Sequence, residues 1–236
     1  MKVRGCLWAL LGVLLLEAGG MAQADTLIGV LPTTPGGTNY QAYYDSTRNL
    51  TWLANADMNG LMTWSQANSW ATGLNVNGVT GWTLPATTQP DPSCSYQEGP
   101  NLYLNTYSQL TYSAMEGYGF NCTGSPMGYL FYNVLDGTAG ASLVNSGPFS
   151  NLQSSLYWST TQYDANTSEA WSFNFNGGVE FFNAWKTNRF YGWAVHAGDV
   201  GAPVRAPEPS PPALMLAGLV LIGFVARRRL ALRSFK

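Results

Sequence analysis

The clearest alternation of apolar and polar positions lies in the C-terminal third of the chain. Between Ala170 and Asn176, three aromatic residues alternate with three polar ones, which is the period of a β-strand with one buried face. Asn176-Gly177-Gly178 has the composition of a tight hairpin turn, so Val179–Trp185 is predicted to be the return strand. Leu156–Thr160 and Gly192–Ala197 are further predicted strands. This region therefore predicts an antiparallel sheet.

The N-terminal half combines short strands with a helix. Tyr43–Asp45 and Leu50–Leu53 are predicted strands joined by a polar turn. Thr63 is a suitable N-cap for a helix that ends before Gly78, and a second short helix is predicted at Gly128–Leu135. The apolar face of the first helix comprises Trp64, Ala67, Trp70, Ala71 and Leu74. Early helices followed by a late antiparallel sheet indicate the α+β class.

The first 24 residues have the layout of a secretory signal peptide. Lys2 and Arg4 precede an apolar stretch from Cys6 to Leu16, and small residues at Ala22 and Ala24 offer a cleavage site for signal peptidase after Ala24. A retained first transmembrane helix is the alternative. Residues 1–24 are therefore set apart from the globular domain, which we expect to span residues 25–200.

The other end of the chain is also apolar and basic. A proline-rich linker, residues 201–212, leads to an apolar run from Ala213 to Ala226 and a basic end. These fourteen residues would form a helix of about 21 Å, whereas a bilayer core is about 30 Å thick. Residues 213–236 are predicted to be a transmembrane segment with a cytoplasmic basic tail. A simple tail anchor and a buried core helix are the alternatives.

Three features of this end follow one another in a fixed order. Pro207-Glu208-Pro209 precedes the apolar segment Leu214–Val225, and Arg227, Arg228 and Arg229 follow it. This arrangement resembles the PEP-CTERM sorting signal of Gram-negative bacteria. The resemblance implies processing by exosortase, a membrane protease-transpeptidase. It also implies an inner-membrane stage, and then a place in the cell envelope, at the outer surface or in the extracellular matrix.

The exported part is acidic. Between Asp25 and Arg205 four basic residues stand against eleven acidic ones, a net charge of −7. Such a surface is poorly suited to phosphate backbones, so nucleic-acid binding is not expected. Charged residues are few, and Trp, Tyr, Asn and Gly are abundant, a composition that favours sheets and long loops.

Two cysteines remain once Cys6 leaves with the signal peptide. In an exported chain, Cys94 and Cys122 are most simply a disulfide, which would add about 3–4 kcal/mol in the chain-entropy model. Two free thiols or a metal-binding pair are the alternatives, but no CxxC motif and no histidine cluster accompanies them.

Six short blocks are spread over the exported part. They are Tyr44-Asp45 with Leu50-Thr51-Trp52, the helix at Trp64, Gly81-Trp82-Thr83-Leu84-Pro85, Tyr157-Trp158-Ser159-Thr160, Ala170-Trp171 and Ala194-Val195-His196. Together they resemble the Lcl C-terminal domain family of bacterial surface and secreted proteins, from about Tyr43 to Val200. The resemblance implies a fold related to C-type lectin-like domains and to formylglycine-generating enzymes. Thr83 and His196 stand where that family usually has arginine.

The sequence contains no recognisable catalytic motif. His196 is the single histidine, and hydrolase, metalloprotease, P-loop and dinucleotide fingerprints are missing. Asp164–Glu169 faintly resembles a calcium loop, but Glu169 replaces the required glycine, which favours an ordinary loop. We therefore expect no catalytic residues, no resident metal and no cofactor; calcium is the one ion with any sequence signal.

Aromatic side chains are the remaining candidates for ligand contact, because tryptophan rings stack on sugar faces. Trp82, Trp158, Trp171 and Trp185 are the candidates, with burial in the core as the alternative for each. The favoured hypothesis is a non-enzymatic envelope or matrix protein that binds exopolysaccharide or another surface polymer. The alternatives are an oxidoreductase of the formylglycine-generating kind and a purely structural matrix protein.

Overall fold

The computed structural model describes residues 27–98 and 116–202, together with the backbone of two strands between them, Leu102–Leu104 and Leu110–Tyr112. The predicted signal peptide and the sorting tail lie outside the described residues, as does the linker from residue 203 onwards. The chain divides at Val200, where one compact unit ends. Within the described range, no helix has the length and apolarity that crossing a bilayer requires.

Strands outnumber helices in the described part of the chain. The strands are β1 (Leu27–Pro32), β2 (Tyr40–Asp45), β3 (Leu50–Leu53), β4 (Leu61–Met62), β5 (Tyr96–Glu98), β6 (Leu102–Leu104), β7 (Leu110–Tyr112), β8 (Glu116–Tyr118), β9 (Leu156–Gln162), β10 (Glu169–Asn174), β11 (Val179–Trp185), β12 (Phe190–Tyr191) and β13 (Val195–Ala197). The helices are α1 (Trp64–Thr72), α2 (Pro126–Tyr129) and a π-helical turn, Leu130–Val134.

The first sheet joins the beginning of the domain to its end. Its strand order is β1-β2-β3-β13, and every neighbouring pair is antiparallel. The predicted strands at Tyr43–Asp45 and Leu50–Leu53 are confirmed. Asp45 stabilises the turn between them, because its carboxylate accepts hydrogen bonds from the amides of Thr47 and Arg48, each 3.0 Å long.

The second sheet has the order β11-β10-β9-β12-β4. The predicted hairpin is present, but β10 ends at Asn174 instead of Asn176. The loop therefore has four residues, Phe175–Gly178, closed by a 2.8 Å hydrogen bond from the Gly178 amide to the Asn174 carbonyl. The shift occurs because the Asn174 side chain accepts the Asn176 amide at 2.9 Å, which begins the turn early.

The predicted strand Gly192–Ala197 is wrong in its extent. The chain leaves the second sheet after β12 and joins the first sheet at β13, and the residues between them connect the two sheets. Trp193 Nε1 donates to the Leu53 carbonyl at 2.7 Å, and the Leu53 amide donates to the Ala194 carbonyl at 3.0 Å. These bonds to β3 replace continued pairing with β9. As a result each sheet contains both early and late strands, which corrects the expectation of a purely late sheet.

Helix α1 begins where the sequence predicted. Thr63 and Gln66 form a capping box, in which each side chain accepts the backbone amide of the other residue, at 3.0 and 3.4 Å. Ala67 and Ala71 are buried against the sheet, and Trp64 Nε1 donates to the Ser159 carbonyl at 2.8 Å. The predicted second helix is also present, as α2 and the π-helical turn that continues it.

Aromatic side chains from both sheets form the core. The ring centroid of Trp52, in the first sheet, lies 4.9 Å from that of Trp193. The rings of Tyr157, in the second sheet, and of Phe175, in the loop after β10, lie 5.9 and 5.8 Å from the same indole. Phe149 closes the cluster at 4.8 Å. Edge and tilted contacts of this kind are the favoured geometry for buried rings. The rigid centre of the domain is therefore aromatic.

Cys94 and Cys122 form a disulfide, which confirms the pairing expected from the sequence. It lies at the base of β5 and β8, which pair with each other. Arg48 binds residues 121–125, which are called the cysteine loop below. Its guanidinium donates to the carbonyl oxygens of Thr123 and Gly124 and lies 4.0 Å from the centroid of the Tyr129 ring.

Candidate functional site

Three of the four tryptophans predicted to contact a ligand belong to the core. Trp82 and Trp158 are 0% exposed and Trp171 is 2% exposed, so no ring face is open to a sugar. Trp158 packs 4.4 Å from Phe190 and donates Nε1 to the Met62 carbonyl at 2.8 Å. Burial thus overturns the platform role for these three residues, because stacking requires an accessible ring.

Trp185 is the exception among the four. It is 53% exposed near the end of β11, the outer strand of the second sheet. Phe181 and Asn183 of the same strand are also exposed and, at spacings of two residues, share its face. The cleft described below does not include Trp185.

The two positions that depart from the family pattern lie side by side. Thr83 forms an isolated bridge with Val195, with two backbone hydrogen bonds of 2.8 Å. The His196 ring lies edge-on to Trp82 at 5.6 Å, and its Nδ1 lies 2.7 Å from the Ala197 carbonyl oxygen. Both residues therefore contribute to the margin of the first sheet.

The segment Asp164–Glu169 forms a polar turn between β9 and β10. The Asn166 side chain accepts the Ser168 amide at 3.1 Å, and the Asn166 carbonyl accepts the Glu169 amide at 2.9 Å. Nearby, burial, together with the charges of Glu98 and Asp164, raises the pKa of Glu116 to about 7. A carboxyl group that is partly protonated at neutral pH is a weak calcium ligand.

Two other acidic residues lie in the interior. A carboxylate oxygen of Asp91 and the sulfurs of Cys94 and Cys122 all lie within 4.8 Å of one another, close enough to share a metal ion. The two sulfurs are joined in a disulfide, however, so neither is a thiolate that could bind the ion. The Asp91 carboxylate accepts the amides of Ser93 and Gly124 at 3.0 and 2.8 Å. Glu180 is fully buried and accepts the Ser125 hydroxyl at 3.0 Å; burial raises its pKa well above the ordinary value. These groups stabilise the cysteine loop and have no access to solvent.

An open cleft of about 470 Å³ lies beside the first sheet. This volume is within the range of about 300–1,000 Å³ that is typical of small-molecule sites. The cleft is formed by four segments: the loop between β1 and β2 with the start of β2, the end of β3 with the chain after it, the chain after α1, and Ser150. Leu53 and Val76 are its buried apolar residues.

Carboxamide side chains dominate the polar part of this cleft. It contains Asn39, Gln41, Asn55, Asn75 and Asn77, and no charged residue. The side chains of Asn55 and Asn75 already bond within the protein. The Asn55 Oδ1 accepts a hydrogen bond from the Asp57 amide at 3.1 Å, and the Asn75 Oδ1 accepts one from the Gly78 amide at 2.9 Å. The side chains of Asn39, Gln41 and Asn77 make no hydrogen bond to the described residues. These three amides are available to a ligand.

Backbone geometry fixes the direction of Asn77. Val76 and Val79 exchange hydrogen bonds of 2.9 and 3.0 Å across a two-residue turn. Both turn residues, Asn77 and Gly78, have positive φ, 51° and 85°, as a type I′ turn requires. The asparagine is favoured here for its backbone conformation, and its amide is placed at the cleft as a consequence.

Tyr40 provides the aromatic wall of the cleft. Its ring contacts Tyr43 edge-on at 6.1 Å, and Tyr43 in turn contacts buried Phe149 at 5.5 Å. Met58, which is 46% exposed, and Leu74 add flexible apolar surface. The cleft therefore combines neutral hydrogen-bonding groups with apolar and aromatic patches.

A comparison with family models identifies two matches. The model of the Lcl C-terminal domain matches residues 41–196, which is more than half of the chain. The chain belongs to the Lcl C-terminal domain family. The model of the PEP-CTERM protein-sorting motif matches residues 205–229. Comparisons with curated proteins and with solved structures return no match.

These matches confirm both resemblances that the sequence suggested. The PEP-CTERM motif implies an exported protein that exosortase processes and that is attached to the cell envelope or surface. Most of the cleft lies within the Lcl C-terminal domain match, from Gln41 to Ser150, whereas Thr33, Asn39 and Tyr40 precede it.

Sequence reasoning did not identify the cleft residues of this Lcl C-terminal domain. Only Asn77-Gly78 carried a local signal, as a turn dipeptide. Asn39 and Gln41 have no distinguishing pattern, and their proximity to Asn77 depends on how the start of β2 and the loop before it meet the chain after α1. Tryptophans were the predicted stacking residues, but most of those predicted are buried in the core.

Proposed function

We propose that this exported protein holds an extracellular polysaccharide at the cell surface or in the surrounding matrix, and that its Lcl C-terminal domain binds the polymer in the amide-lined cleft. The observation that carries the proposal is the set of Asn39, Gln41 and Asn77 side chains around an uncharged cleft. PEP-CTERM sorting supports the location, since it brings the domain to the compartment where such polymers accumulate.

The chemistry of the cleft suits a sugar. Each carboxamide offers two N–H donors and an acceptor oxygen, which together match the donor and acceptor character of neighbouring hydroxyl groups. Tyr40 adds a hydroxyl and a ring edge, and Met58 and Leu74 can cover the C–H faces of a pyranose. We also propose that the domain has a C-type lectin-like fold and acts by binding, without catalysis.

Retention on the polymer tests the proposal directly. The full chain, purified in detergent, is passed over exopolysaccharide from the host cells immobilised on a matrix. Asn77→Asp removes both amide donors yet keeps a residue that tolerates positive φ. We expect it to weaken retention about three- to tenfold, because one hydrogen bond is worth about 0.5–1.5 kcal/mol.

Asn121→Asp is the matched control. Asn121 is exposed, has a φ of 61° and lies in the cysteine loop, away from the residues of the cleft. It undergoes the same chemical change on the same type of backbone, so retention should stay at the level of the unmodified chain. Equal retention of both variants would contradict the cleft assignment. No retention of the unmodified chain would contradict polymer binding itself and leave a structural matrix role.

Trp185 offers a second comparison, because it is the exposed member of the four sequence candidates. Trp185→Ala should retain the polymer normally if the cleft is the site. Loss of retention in Trp185→Ala but not in Asn77→Asp would place the polymer on β11 instead.

Thiol titration distinguishes binding from chemistry of the formylglycine-generating kind. That chemistry requires reactive thiolates, whereas Cys94 and Cys122 are joined in a disulfide. After removal of the signal peptide, which carries Cys6, titration of the folded chain should detect no free thiol. Two reactive thiols in the folded protein would favour the oxidoreductase.

A further inference from the structure

We infer that the polymer bound in the cleft is a neutral glycan, recognised without charge pairing and without a bridging metal ion. This inference rests on the proposed function and narrows it to a ligand class. It follows from three features of the described residues: the Arg and Lys side chains all bond within the protein, the groups that line the cleft are uncharged, and the net charge of the domain is negative.

Every basic side chain in the described part of the chain is already engaged by the protein. Lys186 Nζ lies 2.5 Å from Gln162 Oε1, 2.8 Å from the Thr167 carbonyl and 4.0 Å from the Trp64 ring centroid. Arg189 donates to the Leu61 carbonyl at 2.9 Å. Arg48 is bound to the cysteine loop through Gly124. None of the three lines the cleft.

An anionic sugar would therefore find no cation in the cleft. A carboxylate or sulfate group that leaves water is stabilised most by a cationic partner, because buried charges are normally paired. Residues 27–202 also contain ten acidic and three basic side chains, so their net charge of −7 repels a polyanion as it approaches. A polymer of uronic acids or sulfated sugars should therefore bind weakly, both because the cleft has no cation and because the domain is negatively charged.

The same lining argues against recognition through calcium. Protein calcium sites are built from several oxygen ligands, among them carboxylates of Asp and Glu. The cleft offers carboxamides and hydroxyls, and no carboxylate contributes to its wall. Chelation should accordingly leave binding unchanged. Salt should also have little effect, because hydrogen bonds between neutral groups are not screened in the way that ion pairs are.

The decisive experiment separates host exopolysaccharide by anion exchange into neutral and acidic fractions and immobilises each. We expect the full chain to be retained by the neutral fraction, with unchanged affinity in EDTA and less than about a twofold change between about 50 and 500 mM salt. Retention by the acidic fraction alone, or loss of binding in EDTA, would overturn the inference while leaving polymer binding intact. Retention by neither fraction would contradict the proposed function itself.

A pair of opposite charges at one position sharpens this test. Asn39 is exposed in the loop between β1 and β2, so its replacement disturbs no internal hydrogen bond of the side chain. With a neutral glycan, Asn39→Lys and Asn39→Asp should both weaken retention, by similar factors of about two to ten. With an anionic ligand, Asn39→Lys would strengthen retention and Asn39→Asp would weaken it. Thermal unfolding of both variants verifies that the fold is preserved.

Discussion

The ring of Tyr40 lies directly over Gly29 on the neighbouring strand. A Cβ atom added to Gly29 would come within 2.2 Å of Tyr40 Cδ2, so the glycine creates the space that the ring occupies. An aromatic side chain that covers a glycine of an adjacent strand is a known means of stabilising sheets. Here the same contact positions one wall of the cleft.

Gly29→Ala should therefore displace Tyr40 from the wall. We expect the free energy of unfolding to fall by about 1–3 kcal/mol, the usual cost of overpacking, and polymer retention to weaken more than for other variants of equal stability. Urea unfolding and the retention assay measure the two effects.

Gly177→Ala is the control for this prediction. An added Cβ at Gly177 meets its nearest neighbour, a Val179 methyl group, at 3.8 Å, which is ordinary contact. Stability and retention should change little. Normal retention in Gly29→Ala would show that the position of Tyr40 does not matter for binding.

Removal of the disulfide should lower the free energy of unfolding of the domain. Cys94 and Cys122 are 28 residues apart, and a loop of this length corresponds to about 3–4 kcal/mol in the chain-entropy model. The double variant Cys94→Ala/Cys122→Ala should unfold at lower urea concentration and no longer respond to dithiothreitol. Cys6 lies outside the disulfide, so unfolding of the Cys6→Ala variant should still shift with dithiothreitol as it does for the unmodified chain. If dithiothreitol does not change the unfolding of the unmodified chain, the disulfide does not stabilise the domain.

The acidic interior predicts that stability decreases as pH rises. Burial and the charges of Glu98 and Asp164 raise the pKa of Glu116 to about 7 from its ordinary value of 4.5. In the folded state Glu116 keeps its proton in this interval, whereas the unfolded chain releases it, so stability is lost as pH rises from 4.5 to about 7. The pKa of Glu180 is also raised by burial and adds a loss in the same direction.

Glu116→Gln should remove part of this slope. Glutamine does not titrate, so the variant should gain about 1–2 kcal/mol relative to the unmodified chain between pH 5 and pH 8. Chemical unfolding across this range measures the effect. Glu98→Gln is the comparison: it preserves the titration of Glu116 but removes a neighbouring charge, and NMR titration should show a lower pKa for Glu116. Parallel pH profiles for Glu116→Gln and the unmodified chain would refute the assignment.

The sorting motif gives a prediction independent of the fold. Glu208→Ala should impair exosortase processing, because it removes the charged residue between Pro207 and Pro209. Immunoblots of membrane and surface fractions should show unprocessed chain accumulating in the membrane. Ser210→Ala, next to the motif, should be processed normally. Identical processing and surface release in Glu208→Ala would mean that this carboxylate plays no role in sorting.

Local features of the fold could be predicted from the sequence because their causes are local. Thr63 begins α1 through hydrogen bonds within one turn, and β11 follows from the turn composition of Asn176-Gly177-Gly178 just before it. Predictions failed where a contact distant in sequence intervened. The strand expected at Gly192–Ala197 is interrupted because Trp193 and Ala194 bond to Leu53, far away in the chain.

The sorting motif, the family and the cysteine pair could all be recognised from the sequence, since they depend on short ordered motifs and on residue identity. Which side chains reach solvent, in contrast, depends on how distant segments pack in the folded domain. Trp82 and Trp158 are covered by segments remote in sequence, whereas Asn39, Gln41 and Asn77 meet at one cleft because the start of β2 lies beside the chain that follows α1. Burial is a property of what packs over a residue, so the composition of a single segment cannot specify it.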